Sequence, residues 1–368
     1  ASRSFSITVQ NDAPSNHFNT VLYTGNGASS RSITGVGFAP DFTWTKKRGP
    51  STANHLLQNT VQGAGTGSAL YSASTGAAGS TDQYGYISAF GTDGVTYQAG
   101  SSGSYPSDLN NENNSTYVAW SFKAGGAAVA NTDGTINSQV SVNDVLGFSI
   151  VSYTGNGTAG ATIGHGLSFA PQLILVKVLN QANNWAVYNQ DIGNANGLRF
   201  NSSSAVFSAG TSDGTNNYWN STSPISTVFT VGNGHSTNQS SSYNYVAYCF
   251  TSKPGFSKVG SYTGNGSTSG PMVQTGFEPA FLMIKTTGAD GWFMVDNKRE
   301  TSNPRGNRLF ANSSVAEASE PGAQVNFYAN GFQLTGSGGG QGQTNSNGQT
   351  YIYLAIAADG STATPSLA

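Results

Sequence analysis

The 368 residues predict an all-β chain, built as three tandem antiparallel β-sandwich modules of jelly-roll or lectin-like type with little helix. Three observations carry this. Apolar runs are short, and several alternate, as in Phe148-Ser149-Ile150-Val151-Ser152-Tyr153 and Tyr245-Val246-Ala247-Tyr248-Cys249-Phe250. Period-two alternation between turn residues is the pattern of half-buried strands. Turn signals are dense among the 48 glycines, with Asn-Gly at Asn26, Asn156, Asn265 and Asn330 and Asp-Gly at Asp93, Asp133 and Asp359. These dipeptides accept positive φ and favour tight turns. Finally, one set of anchors recurs three times in order, the signature of a repeated unit.

The first anchor is Tyr-Thr-Gly-Asn-Gly, at Tyr23, Tyr153 and Tyr262. There Tyr closes a strand and Asn-Gly supplies the left-handed turn position. A Phe-x-Pro follows, ending at Pro40, Pro171 and Pro279, so that Tyr-to-Pro spacings are 17, 18 and 17. Pro suits the first residue of a strand, where a missing N–H costs least. Six residues after each Pro stands a lysine, Lys46, Lys177 or Lys285, expected to lay its stem over the sandwich rim. His55 aligns next with Trp185 and Trp292, and Leu70-Tyr71 with Leu198-Arg199-Phe200 and Leu309-Phe310. Each copy closes on Tyr-apolar-Ala: Tyr117-Val118-Ala119, Tyr245-Val246-Ala247 and Tyr353-Leu354-Ala355. The boundaries follow: an N-terminal arm over 1–17 with Phe5-Ser6-Ile7-Thr8-Val9 as an extra strand, modules over 18–124, 145–252 and 253–360, a linker over 125–144, and a tail over 361–368. Val140-Ser141-Val142 is the ordered part of that linker, and Gly336 to Gly342 is a low-complexity hairpin loop.

Composition narrows the function. Only 9% of residues are charged and the net charge is −2, against about 25% charged in an ordinary domain. Lys and Arg are scattered, which gives no electrostatic footprint for nucleic acid. No apolar run reaches the ~18 residues of a membrane span. A single cysteine, Cys249, forms no intrachain disulfide.

Chemistry-bearing patterns are sparse. The four histidines, His17, His55, His165 and His235, are far apart, and no HxxxH or CxxC occurs, so no cofactor or metal is expected. His165 reads as a loop residue. Asp82, Asp93 or Asp108 with nearby Asn offer oxygen atoms to calcium, but in no ordered spacing. Asp213 and Asp296 are carboxylates that could act in catalysis, yet no carboxylate repeats across the three copies, and the turn or loop reading prevails. The chain is therefore expected to be no enzyme. Tyr105, Tyr218 and Trp219 lie in polar loops that differ between the copies. Flanked by Asn and Ser, they are the candidates for a glycan or partner contact, with ring faces for stacking and amides for hydroxyls. Their plainer reading is a subunit interface or a loop packing on its own module.

Phe148 to Gly157, Ala161-Thr162-Ile163-Gly164-His165-Gly166-Leu167, Phe38-Ala39-Pro40-Asp41-Phe42 with Lys46, His55-Leu56-Leu57, and Tyr117 to Gly125 together resemble a repeated β-rich domain of virion proteins of marine tailed bacteriophages. The resemblance covers residues 18–358. The third copy departs most, with Ile356 set against Trp120 and Tyr248 and no Lys-Ala-Gly-Gly ending. The resemblance implies a non-enzymatic structural protein of the virion, a tail fibre, capsid fibre or decoration protein. It would be assembled in the host cytoplasm and displayed on the particle surface as a homo-oligomer with other virion proteins. Host attachment through surface glycans is part of that expectation, with avidity replacing deep pockets; nucleic acid and membrane insertion are not. The alternatives are a secreted bacterial carbohydrate-binding or adhesin protein and, last, a glycan-degrading tailspike.

Overall fold

The structure, a computed structural model, describes residues 12–209, 217–336 and 339–360. The expected arm strand at Phe5 to Val9, the tail from residue 361 and Asp213 lie outside the described residues. Within them the chain is all-β: its strands form antiparallel sheets, and helix is confined to three short 3₁₀ turns, Pro14–Asn16, Asp82–Tyr84 and Gly339–Gln343.

Three main sheets share one strand order. In the first, Phe18–Thr24, Thr116–Phe122, Phe42–Gly49 and Leu56–Asn59 lie side by side. Phe148–Thr154, Asn244–Phe250, Leu173–Val178 and Ala186–Asn189 do so in the second, and Ser257–Thr263, Thr350–Ala357, Pro279–Thr286 and Phe293–Asp296 in the third. Each faces a smaller sheet from its own repeat: Ser30–Thr34, Gly94–Gln98 and Tyr86–Phe90; then Ala161–Gly164 with Val228–Val231; then Met272–Gln274, Gly331–Leu334 and Val325–Tyr328.

Alternation along the strands decides where each side chain goes. In Leu173–Val178, Leu173 and Leu175 point one way, and Ile174 and Val176 the other. The second set packs on the small sheet of the same repeat, with Ile163, Phe229 and Val231. The first set meets the matching faces of the other two repeats, in one cluster with Trp44, Trp120, Phe148, Tyr248, Phe281 and Leu354. The three repeats are thus not separate beads, because their main sheets wall a common core. Burial on both faces explains why these strands read as near-continuous apolar runs.

Two readings of the sequence are corrected here. The segment 125–144 is no free linker: Val129–Asn131 and Ser138–Asn143 extend the second main sheet, Ser138–Asn143 pairing with Phe148–Thr154. The third copy is also shifted by two residues. Tyr262 stands opposite Tyr351, as Tyr23 stands opposite Tyr117 and Tyr153 opposite Tyr245. The residue equivalent to Trp120 and Tyr248 is therefore Leu354, not Ile356. The tyrosines at 351 and 353 made both registers plausible in the sequence.

The two ends of the sheets differ. Phe18, Phe122, Phe148, Phe250 and Phe281 gather at one end, in ring contact with one another. There the chain also enters and leaves, the Ser15 amide donating to Asp359 Oδ1 at 2.8 Å. The Tyr-Thr-Gly-Asn-Gly turns lie at the far end, about 20 Å away along strands of seven residues.

Candidate functional site

The repeated pentapeptide is a clip. Tyr23, Tyr153 and Tyr262 stack on Tyr117, Tyr245 and Tyr351, with ring centroids 5.1 Å apart in all three copies. Their hydroxyls donate to the carbonyls of Asn110, Thr237 and Thr344 at 2.7, 2.7 and 2.6 Å. Asn26, Asn156 and Asn265 each pair with a buried second asparagine, Asn111, Asn238 or Asn345. The buried amide donates to the turn asparagine's Oδ1 at 2.8, 3.1 and 3.2 Å. Its own Oδ1 accepts from the turn asparagine's backbone N–H at 3.1, 2.7 and 2.9 Å. The glycines that follow take φ of +71°, +71° and +66°, the conformation the Asn-Gly pair was expected to supply. The buried asparagines went unnoticed in the sequence. Their signal was a recurrence six, seven and six residues before Tyr117, Tyr245 and Tyr351.

The repeated lysines are not rim residues. Lys46, Lys177 and Lys285 are fully buried. Each continues the row of side chains that lines the common core, after Trp44, Leu175 and Met283. Among the described residues their ammonium groups have only carbonyl partners: Lys46 Nζ donates to Lys47, Ala53 and Ser314, Lys177 Nζ to Thr75 and Asn183, and Lys285 Nζ to Thr286 and Gly288. Burial without a carboxylate contact lowers them to about 7, 7 and 8.

These lysines mark joints between repeats. Two residues beyond each, a carbonyl accepts a backbone bond from the neighbouring repeat: Ala78 N–H to Leu179, Val206 N–H to Thr287 and Glu317 N–H to Arg48, at 2.7, 2.9 and 2.7 Å. The series runs first to second, second to third and third to first, so the ring closes within one chain. Ring nitrogens repeat the pattern. Trp185 Nε1 donates to the Tyr71 carbonyl and Trp292 Nε1 to that of Arg199, both at 3.1 Å. His55 stands in the same place, 2.9 Å from the Phe310 carbonyl. The Trp44 indole donates to His55 Nδ1 at 2.8 Å, which makes Nε2 the donor. Burial, with the nearby Lys46 charge, pushes this ring well below the usual histidine range.

The other candidates fall into place. Asp296 is buried and accepts from the Lys298 and Arg299 amides, Arg299 Nε and Trp120 Nε1 at 2.6–3.1 Å. It is a structural anion, holding Arg299 and the indole of another repeat. His165 is buried, with Nε2 at 3.0 Å from the Ile225 carbonyl and Nδ1 accepting from the Leu167 amide. Burial pushes the Cys249 thiol up to about 12. Among the described residues no group of three or more His, Cys, Asp or Glu is placed to hold a metal ion, and no helix is long and apolar enough to cross a membrane.

The aromatic triad is a correction. Tyr218 and Trp219 are each 1% exposed and belong to the core between the second main and small sheets, Trp219 packing edge-on against Tyr188. Neither can offer a ring face to a sugar. Only Tyr105 is on the surface, at 59% exposure.

A groove not foreseen from the sequence lies between the first and second repeats. It encloses about 680 Å³ at the clip end of the molecule. Along the core-facing row of the second sheet, Phe148 and Ile150 give way to Ser152 and Thr154, and Val246 to Asn244. There the apolar faces stop meeting and a polar cleft opens. Gln62 and Ala78 of the first repeat form its opposite wall, and Gln139 of the added strand flanks Ser152.

An all-β chain of three internally repeated units closed around one core is the class these features define. The chain belongs to the family described as a domain of unknown function, DUF7483, whose model matches residues 13–359. No curated protein and no solved structure matches the chain.

Proposed function

We propose that the chain is a non-enzymatic structural protein of a bacteriophage virion, a fibre or decoration component that serves particle assembly and host attachment. The observation that carries this reading is the closed ring of joints. Lysines, histidine and tryptophans, residues from which catalytic sites are commonly made, are spent at the joints between the three repeats, and buried asparagines on the clip inside each. Such a block suits a particle exterior, where a fold without disulfides must keep its shape. The repeat-to-repeat joints are satisfied inside the chain, so the proposed homo-oligomer and the contacts with other virion proteins use other surfaces. The resemblance of the repeated motifs to marine tailed-phage virion proteins supports the same reading.

Gold-labelled antibody raised against the purified chain is expected to decorate intact particles at fixed positions, and mass spectrometry of washed particles to detect the chain. Absence from purified particles by both methods overturns the proposal. A second reading, a secreted bacterial carbohydrate-binding or adhesin protein, is favoured by the neutral groove; recovery of the chain from culture medium of cells free of phage would select it.

A further inference from the structure

The groove breaks the threefold repeat. It is flanked by Ser138–Asn143, an added strand with no counterpart where Lys253-Pro254-Gly255 joins the second and third repeats directly. It also lies at the end of the molecule opposite to where the chain enters and leaves.

Its chemistry is restrictive. Among the described residues no Asp, Glu, Lys, Arg or His lines it, so a charged ligand would be desolvated without a counter-charge. The polar groups are amides and hydroxyls in cross-strand pairs, Gln139 beside Ser152 and Asn244 beside Thr154. Several have hydrogen-bonding capacity left over. Asn244 Oδ1 accepts from Thr154 Oγ1 at 2.9 Å, while its NH₂ has no partner among the described residues. Gln62 Oε1 accepts from Asn59 at 2.6 Å, and its NH₂ is likewise unengaged. Gln139 is exposed, and no intramolecular bond engages its amide among the described residues. An apolar ligand would bury these groups unpaired and lose their bonds to water without replacement. Val61, Ala78 and Leu179 supply an apolar ledge in the same groove.

We propose that this groove binds a neutral oligosaccharide. Hydroxyls both donate and accept, so they match amides and hydroxyls that need both. The C–H face of a pyranose covers a ledge of small apolar side chains without demanding a hydrogen bond. This site is not the Tyr105, Tyr218 and Trp219 set. It also stands apart from the particle reading: sugar binding is measured on the purified chain, and particle membership on particles.

The test is an array carrying neutral oligosaccharides of glucose, galactose, mannose and N-acetylhexosamines beside sialylated and sulphated ones, with the strongest neutral glycan titrated by calorimetry. Binding to neutral glycans is expected. Gln139→Trp, which fills the groove from an exposed position, should weaken it at least about tenfold, roughly 1.4 kcal/mol. Gln139→Ala should weaken it severalfold, and Tyr105→Ala should leave it unchanged. No binding to any neutral glycan at millimolar concentration overturns the proposal. Binding confined to acidic glycans, or binding indifferent to both Gln139 variants, also overturns it. Gln139→Ala settles the matter if the tryptophan variant does not fold.

Discussion

Replacing Asn238 by alanine tests the clip at its centre. The buried amide donates to Asn156 Oδ1 and to the carbonyls of Thr158 and Gly232, and its oxygen accepts from the Asn156 and Gly157 amides. At a net of about 1 kcal/mol each, five such bonds bound the loss near 5 kcal/mol; water entering the vacated space recovers part, leaving about 3 kcal/mol. Asn238→Asp sharpens the test. The carboxylate keeps the two accepted bonds but faces two carbonyls and an amide oxygen, which raises its pKa above the unfolded value near 3.9. A raised carboxyl pKa makes the native state hold its proton longer. The Asp variant should therefore lie nearest to wild type below about pH 4 and fall away as pH rises through the folded pKa. Urea unfolding followed by tryptophan fluorescence at pH 4 and pH 7 measures both effects. Asn111→Ala and Asn345→Ala should lose stability in the same direction but by less, because they share three of these five bonds: donation to the turn asparagine's Oδ1 and to the carbonyl two residues beyond it, and acceptance from its backbone N–H. An Asn238→Ala loss below about 0.5 kcal/mol, the scale of a neutral surface change, would refute the assignment of the clip as a major contributor.

Three further outcomes follow. Lys177, lowered to about 7 by burial, is protonated in both states below that pH, and the native state then carries the whole desolvation cost; the cost fades between pH 7 and the unfolded value near 10.4. Wild type should therefore gain stability across that window, and Lys177→Met should remove up to one proton's worth of the slope, about 1.4 kcal/mol per pH unit, in urea midpoints taken against pH. Trp219→Ala should cost about 3–5 kcal/mol through the cavity it leaves, whereas Tyr105→Ala should stay within about 0.5 kcal/mol, both read by denaturant unfolding. The isolated second repeat, residues 145–252, would expose Phe148, Trp185, Tyr248 and Phe250; calorimetry should show no cooperative unfolding of a soluble monomer, and a sharp transition in that fragment would contradict the common core.

Much of the fold was legible because its determinants are local. Strand alternation, Asn-Gly turns and the repeated tyrosines act within a few residues, and the alignment of His55 with Trp185 and Trp292 carried through to one shared role at the joints. What sequence could not convey was the third dimension of the repeat. A lysine after four apolar residues reads as a strand end at a rim, unless three sheets are known to converge there. Tyr218 and Trp219 sit among Asn and Ser, so their surroundings in sequence look wet, but they pack on residues of strands outside that stretch, Phe207 and Tyr188. Even one motif diverged: Phe38 and Phe277 of Phe-x-Pro are buried, while Phe169 is 60% exposed, with the Lys253 ammonium 4.6 Å from its ring. The groove was invisible for the same reason, since its walls come from two repeats and a segment read as a linker.

The meeting of Ser15 and Asp359 has a mechanical meaning. A longer polypeptide carrying this unit would leave its path and rejoin it within a few ångström, so the unit would hang to the side as a pendant. Tension along that polypeptide would pass from one end of the unit to the other without crossing the common core. The groove, at the opposite pole, would be held out into solvent at the full length of the strands, away from the line of force.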